Sequence, residues 1–226
     1  MTPDFLQQVL AAKRERRAVA VITNIATGEQ RLVAKQDAGS DALAEILEPA
    51  FRFDRSGIHA TAAGEVFVTI HNPPLRLLII GAVQIAQSII PVAEMAGYDV
   101  TVVDPRGAFA SGARFPKVQL YSEWPDEILP KLKLDRRTAF IALTHDPKID
   151  DPALHLALRS EVFYIGALGS KKTQLARRER LSGAGFSEAE LARIYGPIGL
   201  PIGAVGSVEI AISILAEMTR SLRMGP

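Results

Sequence analysis

The segment Ile165-Gly166-Ala167-Leu168-Gly169-Ser170-Lys171-Lys172-Thr173 brings two glycines, a hydroxyl and two lysines to the start of a helical pattern. Ser170 has the type and place of an N-cap, and a helix N-terminus presents unpaired amides with a positive dipole, so the pattern suits an anion. Lys171 and Lys172 oppose that dipole, a cost that an anionic ligand or partner would offset. From Lys171 to Arg180 there are five basic residues and one acid. A solvated basic helix face accounts for Arg177, Arg178 and Arg180, but less well for Gly166, Gly169 and Ser170. The spacing is not that of a Walker loop, so nucleoside triphosphate hydrolysis has no support.

Three other junctions carry chemistry. Gly81-Ala82-Val83-Gln84-Ile85-Ala86 stands where a strand turns into a helix, the position of a dinucleotide fingerprint, but Val83 occupies the place of the glycine that lets a pyrophosphate approach the backbone. Asp104 lies about 20 residues further on, where an acid meets ribose hydroxyls; it equally suits a strand-end cap. Arg106 then either meets a phosphate or pairs with Asp104. Thr144-His145-Asp146-Pro147 offers a hydroxyl, an imidazole and a carboxylate together, and an imidazole serves as acid, base or anion donor near neutral pH. The plainer reading is a turn begun by Asp146 with a half-exposed His145. No residue is assigned a catalytic role and no metal ligand set is visible.

The elements that must hold these loops fall into two regions. His71-Asn72-Pro73-Pro74 divides them, because a double proline continues neither a helix nor a central strand. Residues 1–72 read as a small α+β domain: a helix over Asp4–Arg16, strands over Ala18–Ile25 and Arg31–Ala34 around a turn at Thr27-Gly28-Glu29, a helix over Asp41–Pro49, and a strand over Glu65–Ile70. Residues 75–226 alternate strand and helix, which predicts an α/β, Rossmann-like parallel sheet with helices on both faces. Its strands are expected at Leu75–Ile80, Asp99–Val103, Val118–Tyr121, Thr138–Leu143 and Val162–Gly166. Helices are expected at Val83–Met95, Asp126–Leu132, Pro152–Leu158, Lys171–Ala184, Ser187–Ile194 and Ser207–Ser221, the last capped by Ser207. In such a sheet, ligands sit at the carboxyl ends of the strands, which is where all four junctions fall. The uncharged loop Gly196–Ala204 suits a pocket wall or a homodimer contact.

Composition limits the functions. With 26 basic and 25 acidic side chains, the net charge of +1 supplies no global field for nucleic acid or an anionic membrane. The absence of cysteine removes disulfides, thiolate nucleophiles and cysteine-ligated zinc or iron–sulfur sites. No apolar run approaches the roughly 20 residues of a membrane helix, and no signal core opens the chain, so a cytoplasmic protein is expected.

Four strings, Leu143-Thr144-His145-Asp146, Tyr164 to Lys172, Gly185 to Ile194, and Pro197-Ile198-Gly199-Leu200-x-Ile202-Gly203-Ala204, occur in an order that resembles the xanthine dehydrogenase accessory factors, the XdhC/CoxI/CoxF family. The resemblance runs from Leu75 to the C-terminus. It implies a chaperone, rather than a metabolic enzyme, that binds molybdenum cofactor of the molybdopterin type. Such a protein promotes sulfuration of the cofactor through a cysteine desulfurase and delivers it to a xanthine dehydrogenase-type molybdenum hydroxylase. Two features depart from the family: its cysteine-bearing N-terminal motif is missing, and its Gly-Ala-Gly-His-Val-Gly turn is here Gly81 to Ala86. On this reading Asp104 contacts a sugar or pterin, Gly166 to Lys172 hold phosphate, and His145 and Asp146 line the site. Two alternatives remain. One is an NAD(P)-dependent oxidoreductase with His145 as proton donor, which Val83 disfavours. The other is a ligand-free scaffold joining desulfurase and apoenzyme through the basic helix Lys171–Arg180.

Overall fold

The structure, a computed structural model, describes residues 2–116 and 118–225. The chain divides into two compact units, Met1–Pro73 and Pro74–Pro226. In the first, helix α1 (Pro3–Arg14) precedes an antiparallel sheet of β1 (Val19–Asn24), β2 (Gln30–Ala34), β3 (Gly57–Thr61) and β4 (Gly64–His71), in the order β2-β1-β4-β3. Ala20, Ile22, Val33 and Val68 pack on Leu47 and Phe51 of helix α2 (Ala44–Phe53). The sequence stops that helix at Pro49; it continues because Ala50 and Phe51 bury on the next turn, and that packing outweighs the hydrogen bond that proline removes. A 3-10 turn over Lys35–Ser40 leads into it. Strand β3 is not predicted. Gly57-Ile58-His59-Ala60-Thr61 has little intrinsic β preference and is made a strand by pairing with β4 from Gly57↔Val68 to Thr61↔Gly64.

The second unit is a six-stranded, wholly parallel sheet. Its strands are β5 (Leu75–Ile80), β6 (Tyr98–Val103), β7 (Gln119–Tyr121), β8 (Thr138–Ala142), β9 (Tyr164–Ala167) and β10 (Ile194–Tyr195). Their order is β10-β9-β8-β5-β6-β7, the doubly wound order of a dinucleotide-binding fold. One face packs on α3 (Gln84–Met95) and α8 (Ser207–Met224) through Leu77, Ile79, Ile89, Ile141, Ile214 and Met218. The other face packs on α4 (Pro125–Leu132), α5 (Pro147–Leu158), α6 (Lys171–Gly183) and α7 (Glu188–Leu191). Burial on both faces explains the unbroken apolar runs. The exception, Arg76, sits at the amino end of β5. It donates to the carbonyls of Leu132 (2.8 Å) and Lys133 (2.7 Å) and pairs with Asp135.

Three expectations in this unit are corrected. Helix α5 starts at Pro147 rather than Pro152, because Asp146 is its N-cap, accepting from the Lys148 amide at 2.9 Å, and proline suits the first helical position. The helix expected over Ser187–Ile194 ends at Leu191. Arg193 then donates to the carbonyls of Leu158, Ser160 and Val162, and Ile194-Tyr195 leave to pair with Ile165-Gly166 as β10. Helix α8 is capped by Gly206, not Ser207, with Glu209 accepting from the amides of Val205 and Gly206. Among the described residues, no helix is long and apolar enough to cross a membrane.

Candidate functional site

The crossovers leave β5 and β8 toward opposite faces of the sheet, so a crevice opens between their carboxyl ends. Gly81 and Thr144 form its floor. Gly81 has φ +112°, and a Cβ there would lie 2.8 Å from Thr144 Cγ2 and 3.2 Å from the Thr144 amide. Only glycine lets the two strand tips approach this closely. Ala82 is fully buried. Val83 begins α3 without any side-chain cap and packs against the adjoining core.

Asp104, at the end of β6, is 0% exposed. Its Oδ2 accepts from the Ala82 amide (2.7 Å) and from Arg106 Nη2 (2.8 Å); its Oδ1 accepts from the Arg106 amide (3.0 Å) and Nε (2.9 Å). Burial pushes this carboxyl up. The Arg106 fork and the two amides outweigh burial and hold it below the usual carboxylate range. The residue therefore ties the β5 turn to Arg106.

At the tip of β8, the Thr144 hydroxyl donates to Asp150 Oδ1 at 2.6 Å and accepts from the Asp146 amide at 3.0 Å. Between them His145 is exposed and adopts φ +62°, a left-handed conformation that costs a side-chain-bearing residue free energy and favours glycine, asparagine or aspartate. The strand-turn-helix thus leaves an exposed histidine at the tip of β8. We expect His145→Asn to keep wild-type stability within about 0.5 kcal/mol. His145→Val, β-branched at a left-handed position, should lose about 1–2 kcal/mol; urea denaturation of the three proteins checks this.

Beneath the tip lies a polar pair that the sequence does not announce. Asp150 on α5 is 1% exposed and Arg177 on α6 is 2% exposed, with Arg177 Nη2 3.5 Å from Asp150 Oδ2. Arg177 also donates to the carbonyl of Leu168 (3.1 Å) and to Gln174 Oε1 (2.5 Å). Among the described residues, Asp150 Oδ2 and Arg177 Nε have no hydrogen-bond partner. Burial pushes the Asp150 carboxyl above the carboxylate range, and the Thr144 hydroxyl and the Arg177 charge offset this only in part.

The basic helix expected over Lys171–Arg180 is largely neutralised. Arg177 faces Asp150, Arg178 pairs with Glu188, and Arg180 pairs with Asp151 at 2.5 Å. Helical spacing turns Gln174, Arg177 and Leu181 toward the core, a pattern that points Arg177 inward once Gln174 is counted as a core residue. Lys171 and Lys172 stay exposed at the N-terminus of α6, beside Ser170, whose Oγ caps the Thr173 amide at 3.2 Å. Gly169 has φ +140°. Gly166 faces the core instead: a Cβ there would lie 2.4 Å from Ile198, so its small size serves packing. The loop after β10 is pinned over this tip, with the buried Glu217 accepting from Tyr164 Oη (2.6 Å) and the Gly199 amide (2.9 Å).

Residues 77–218 match the XdhC Rossmann domain. The chain belongs to the XdhC family. Among its relatives, a Bacillus subtilis (strain 168) protein described as a probable subunit of xanthine dehydrogenase is 30% identical over 167 residues, covering 72% of this chain and 48% of its own. The Escherichia coli (strain K12) molybdenum cofactor insertion chaperone PaoD is 32% identical over 147 residues, covering 65% and 40%. A solved structure described as a xanthine dehydrogenase from Bacillus halodurans superposes with a TM-score of 0.69 at 25% identity, covering 99% of this chain and 65% of that one. The chain thus spans under half the length of these curated relatives.

In this XdhC chain, the strand ends bring Gly81, Ala82, Val83, Asp104, Arg106, Thr144, His145 and Asp146 around one crevice. Ser170, Lys171 and Lys172 stand at the end of the neighbouring strand β9, and Gly166 lies inside the sheet. The donor set fits the anionic part of a phosphate-bearing cofactor: guanidinium, ammonium groups and helix-start amides. It does not form a metal cage. Among the described residues there is no cluster of three or more metal-ligating side chains. A cavity of about 570 Å³ at the opposite, amino-terminal edge of the sheet is lined by Arg76, Asp99, Thr101 and Gln119, away from these groups. Its arginine is committed to the α4 end.

Proposed function

We propose that this protein is an accessory factor that binds molybdenum cofactor at the strand-end crevice and assists its sulfuration and insertion into a xanthine dehydrogenase-type molybdenum hydroxylase. The observation that carries this reading is the placement, in an XdhC-family chain, of Arg106, His145 and the lysine-bearing start of α6 at the carboxyl ends of β6, β8 and β9. Arg106 and the α6 start, with Ser170, Lys171 and Lys172, would hold the cofactor's phosphate. Asp104 would act through Arg106 and the Ala82 amide, and Thr144, His145 and Asp146 would face the pterin. The name of PaoD supports the delivery step.

The bound cofactor supplies the redox chemistry of the client enzyme; this chain orients it and shields it from water. These 226 residues contain no cysteine and so offer no persulfide of their own; on this reading a cysteine desulfurase supplies the sulfur. The assay is activation of a cofactor-free molybdenum hydroxylase by cofactor, desulfurase and this protein together. Omitting the protein should lower the yield of active enzyme; equal yields with and without it would refute the reading. Lys171→Glu combined with Lys172→Glu should weaken cofactor binding about tenfold or more, since two cations become anions beside a phosphate. Arg180→Ala, which breaks a bidentate, half-buried pair with Asp151 away from the crevice, should leave cofactor affinity unchanged and cost about 1–2 kcal/mol of stability. Equilibrium gel filtration with molybdenum analysis reads the affinities, and urea denaturation reads the stability.

A further inference from the structure

We infer that Arg106 determines which chemical class of ligand the β6 side of the crevice accepts: an anionic oxygen group such as phosphate or pyrophosphate, and not the ribose diol of a nicotinamide dinucleotide. This rests on the reading of the crevice as a ligand site and adds a specificity to it.

A dinucleotide-binding sheet reads the ribose with an acid at the end of its second strand, the place Asp104 holds here at the end of β6. A carboxylate has about four acceptor positions. All four of Asp104 are taken, by the Ala82 amide and by the amide, Nε and Nη2 of Arg106 at 2.7–3.0 Å. The acid has no exposed surface. A diol could reach it only by evicting Arg106 and leaving that guanidinium without its partner.

Arg106 itself keeps donors to spare. A guanidinium carries five N–H groups; Nε and one of Nη2 point to Asp104, and both on Nη1 and the other on Nη2 take no acceptor among the described residues. Its side chain is 32% exposed. It lies over the ring of Phe109, 4.6 Å from the centroid, and Arg114 flanks the same ring at 6.0 Å and donates to the Phe109 carbonyl at 2.9 Å. The guanidinium is thus held as a flat, preformed fork, the geometry that receives phosphate oxygens in pairs. The hydrogen bonds to Asp104 are the main cause of its raised basicity, and the charges of Asp146 and Asp150 at the β8 tip add to it.

The test uses the wild-type ¹⁵N-labelled protein, with the Arg106 Nε–H resonance assigned by Arg106→Lys, and two probes: sodium pyrophosphate, which is anionic and has no diol, and adenosine, which has a diol and no charge. Pyrophosphate should shift the Arg106 resonance saturably, adenosine should leave it and the Ala82 amide in place, and Arg106→Lys should bind pyrophosphate about tenfold or more weakly. The inference is overturned if adenosine shifts these resonances, if pyrophosphate shifts only the amides of Lys171 and Lys172, or if it shifts none. Neither probe is the molybdenum cofactor, so these outcomes stand apart from success or failure of cofactor retention.

Discussion

Arg177→Ala is expected to destabilise the Pro74–Pro226 unit by about 3–5 kcal/mol, the cost of leaving a buried charge without its partner. Asp150 would remain 1% exposed with Oδ2 facing an empty space, and the Leu168 carbonyl and Gln174 would lose a donor. Urea denaturation should show the loss as a lower midpoint at unchanged slope. Asp150→Leu combined with Arg177→Met should recover the part due to the unpaired buried charge, but not the part due to Thr144, Gln174 and the Leu168 carbonyl, which stay without their partners. Full recovery would show that the pair is retained for something other than stability. The pH dependence of wild type and Asp150→Asn distinguishes them further. Burial raises the Asp150 carboxyl in the folded state. The folded protein therefore binds more protons than the unfolded one between the unfolded value of 3.8 and the raised folded value. This group's contribution is fully present below 3.8 and is lost as pH rises through the folded value. Asp150→Asn should lack that component, with its stability falling less over the same interval.

Gly81→Ala should have an effect of similar size for a different reason. The residue's φ of +112° lies in a region that essentially only glycine occupies, and the added methyl would meet Thr144 Cγ2 at 2.8 Å and the Thr144 amide at 3.2 Å. Backbone strain of about 1–3 kcal/mol and overpacking of about 1–3 kcal/mol act together. The methyl can be accommodated only by parting the tips of β5 and β8, which moves Thr144 off Asp150 and His145 off its perch. We therefore expect a loss of about 2–5 kcal/mol in thermal or chemical denaturation, with cofactor binding reduced even in the fraction that stays folded. Gly28→Ala is the control for backbone strain alone: Gly28 also has positive φ, +73°, but nothing lies within 4 Å of a Cβ there. It should cost only the conformational penalty and leave cofactor binding intact.

The elements legible in the sequence are those whose pattern and punctuation agree. Leu75–Ile80 is apolar throughout because both faces of the sheet are covered, and α3 ends where Gly97 adopts positive φ. The elements missed are set by partners distant in the chain. Strand β3 exists because β4 lies beside it, and β10 exists because Arg193 anchors its approach and Tyr195 stacks on Tyr164 at 4.9 Å. The candidate site shows the same division. Glycine, Asp104 and His145 announce the strand ends by type and position. Burial is invisible in a linear string, so Arg177 reads as one more cation of a solvated face, and Asp150 passes as one more acid in Lys-Ile-Asp-Asp-Pro. Gly166 looks like part of a phosphate loop until Ile198, 32 residues further on, is seen against it. No property of Asp104 alone reveals that its neighbour two residues on has already claimed it.

The central claim is that the strand-end crevice holds molybdenum cofactor, and retention of the cofactor by the purified protein tests it most directly. The protein is mixed anaerobically with cofactor at tens of micromolar, passed through gel filtration, and assayed for co-eluting molybdenum and pterin, alongside His145→Asn and the Lys171→Glu, Lys172→Glu double variant. The account predicts near-stoichiometric co-elution with the wild type and at least about tenfold less with the double variant, with a smaller loss for His145→Asn. Wild-type protein that elutes without cofactor, or variants that retain as much as the wild type, would contradict it.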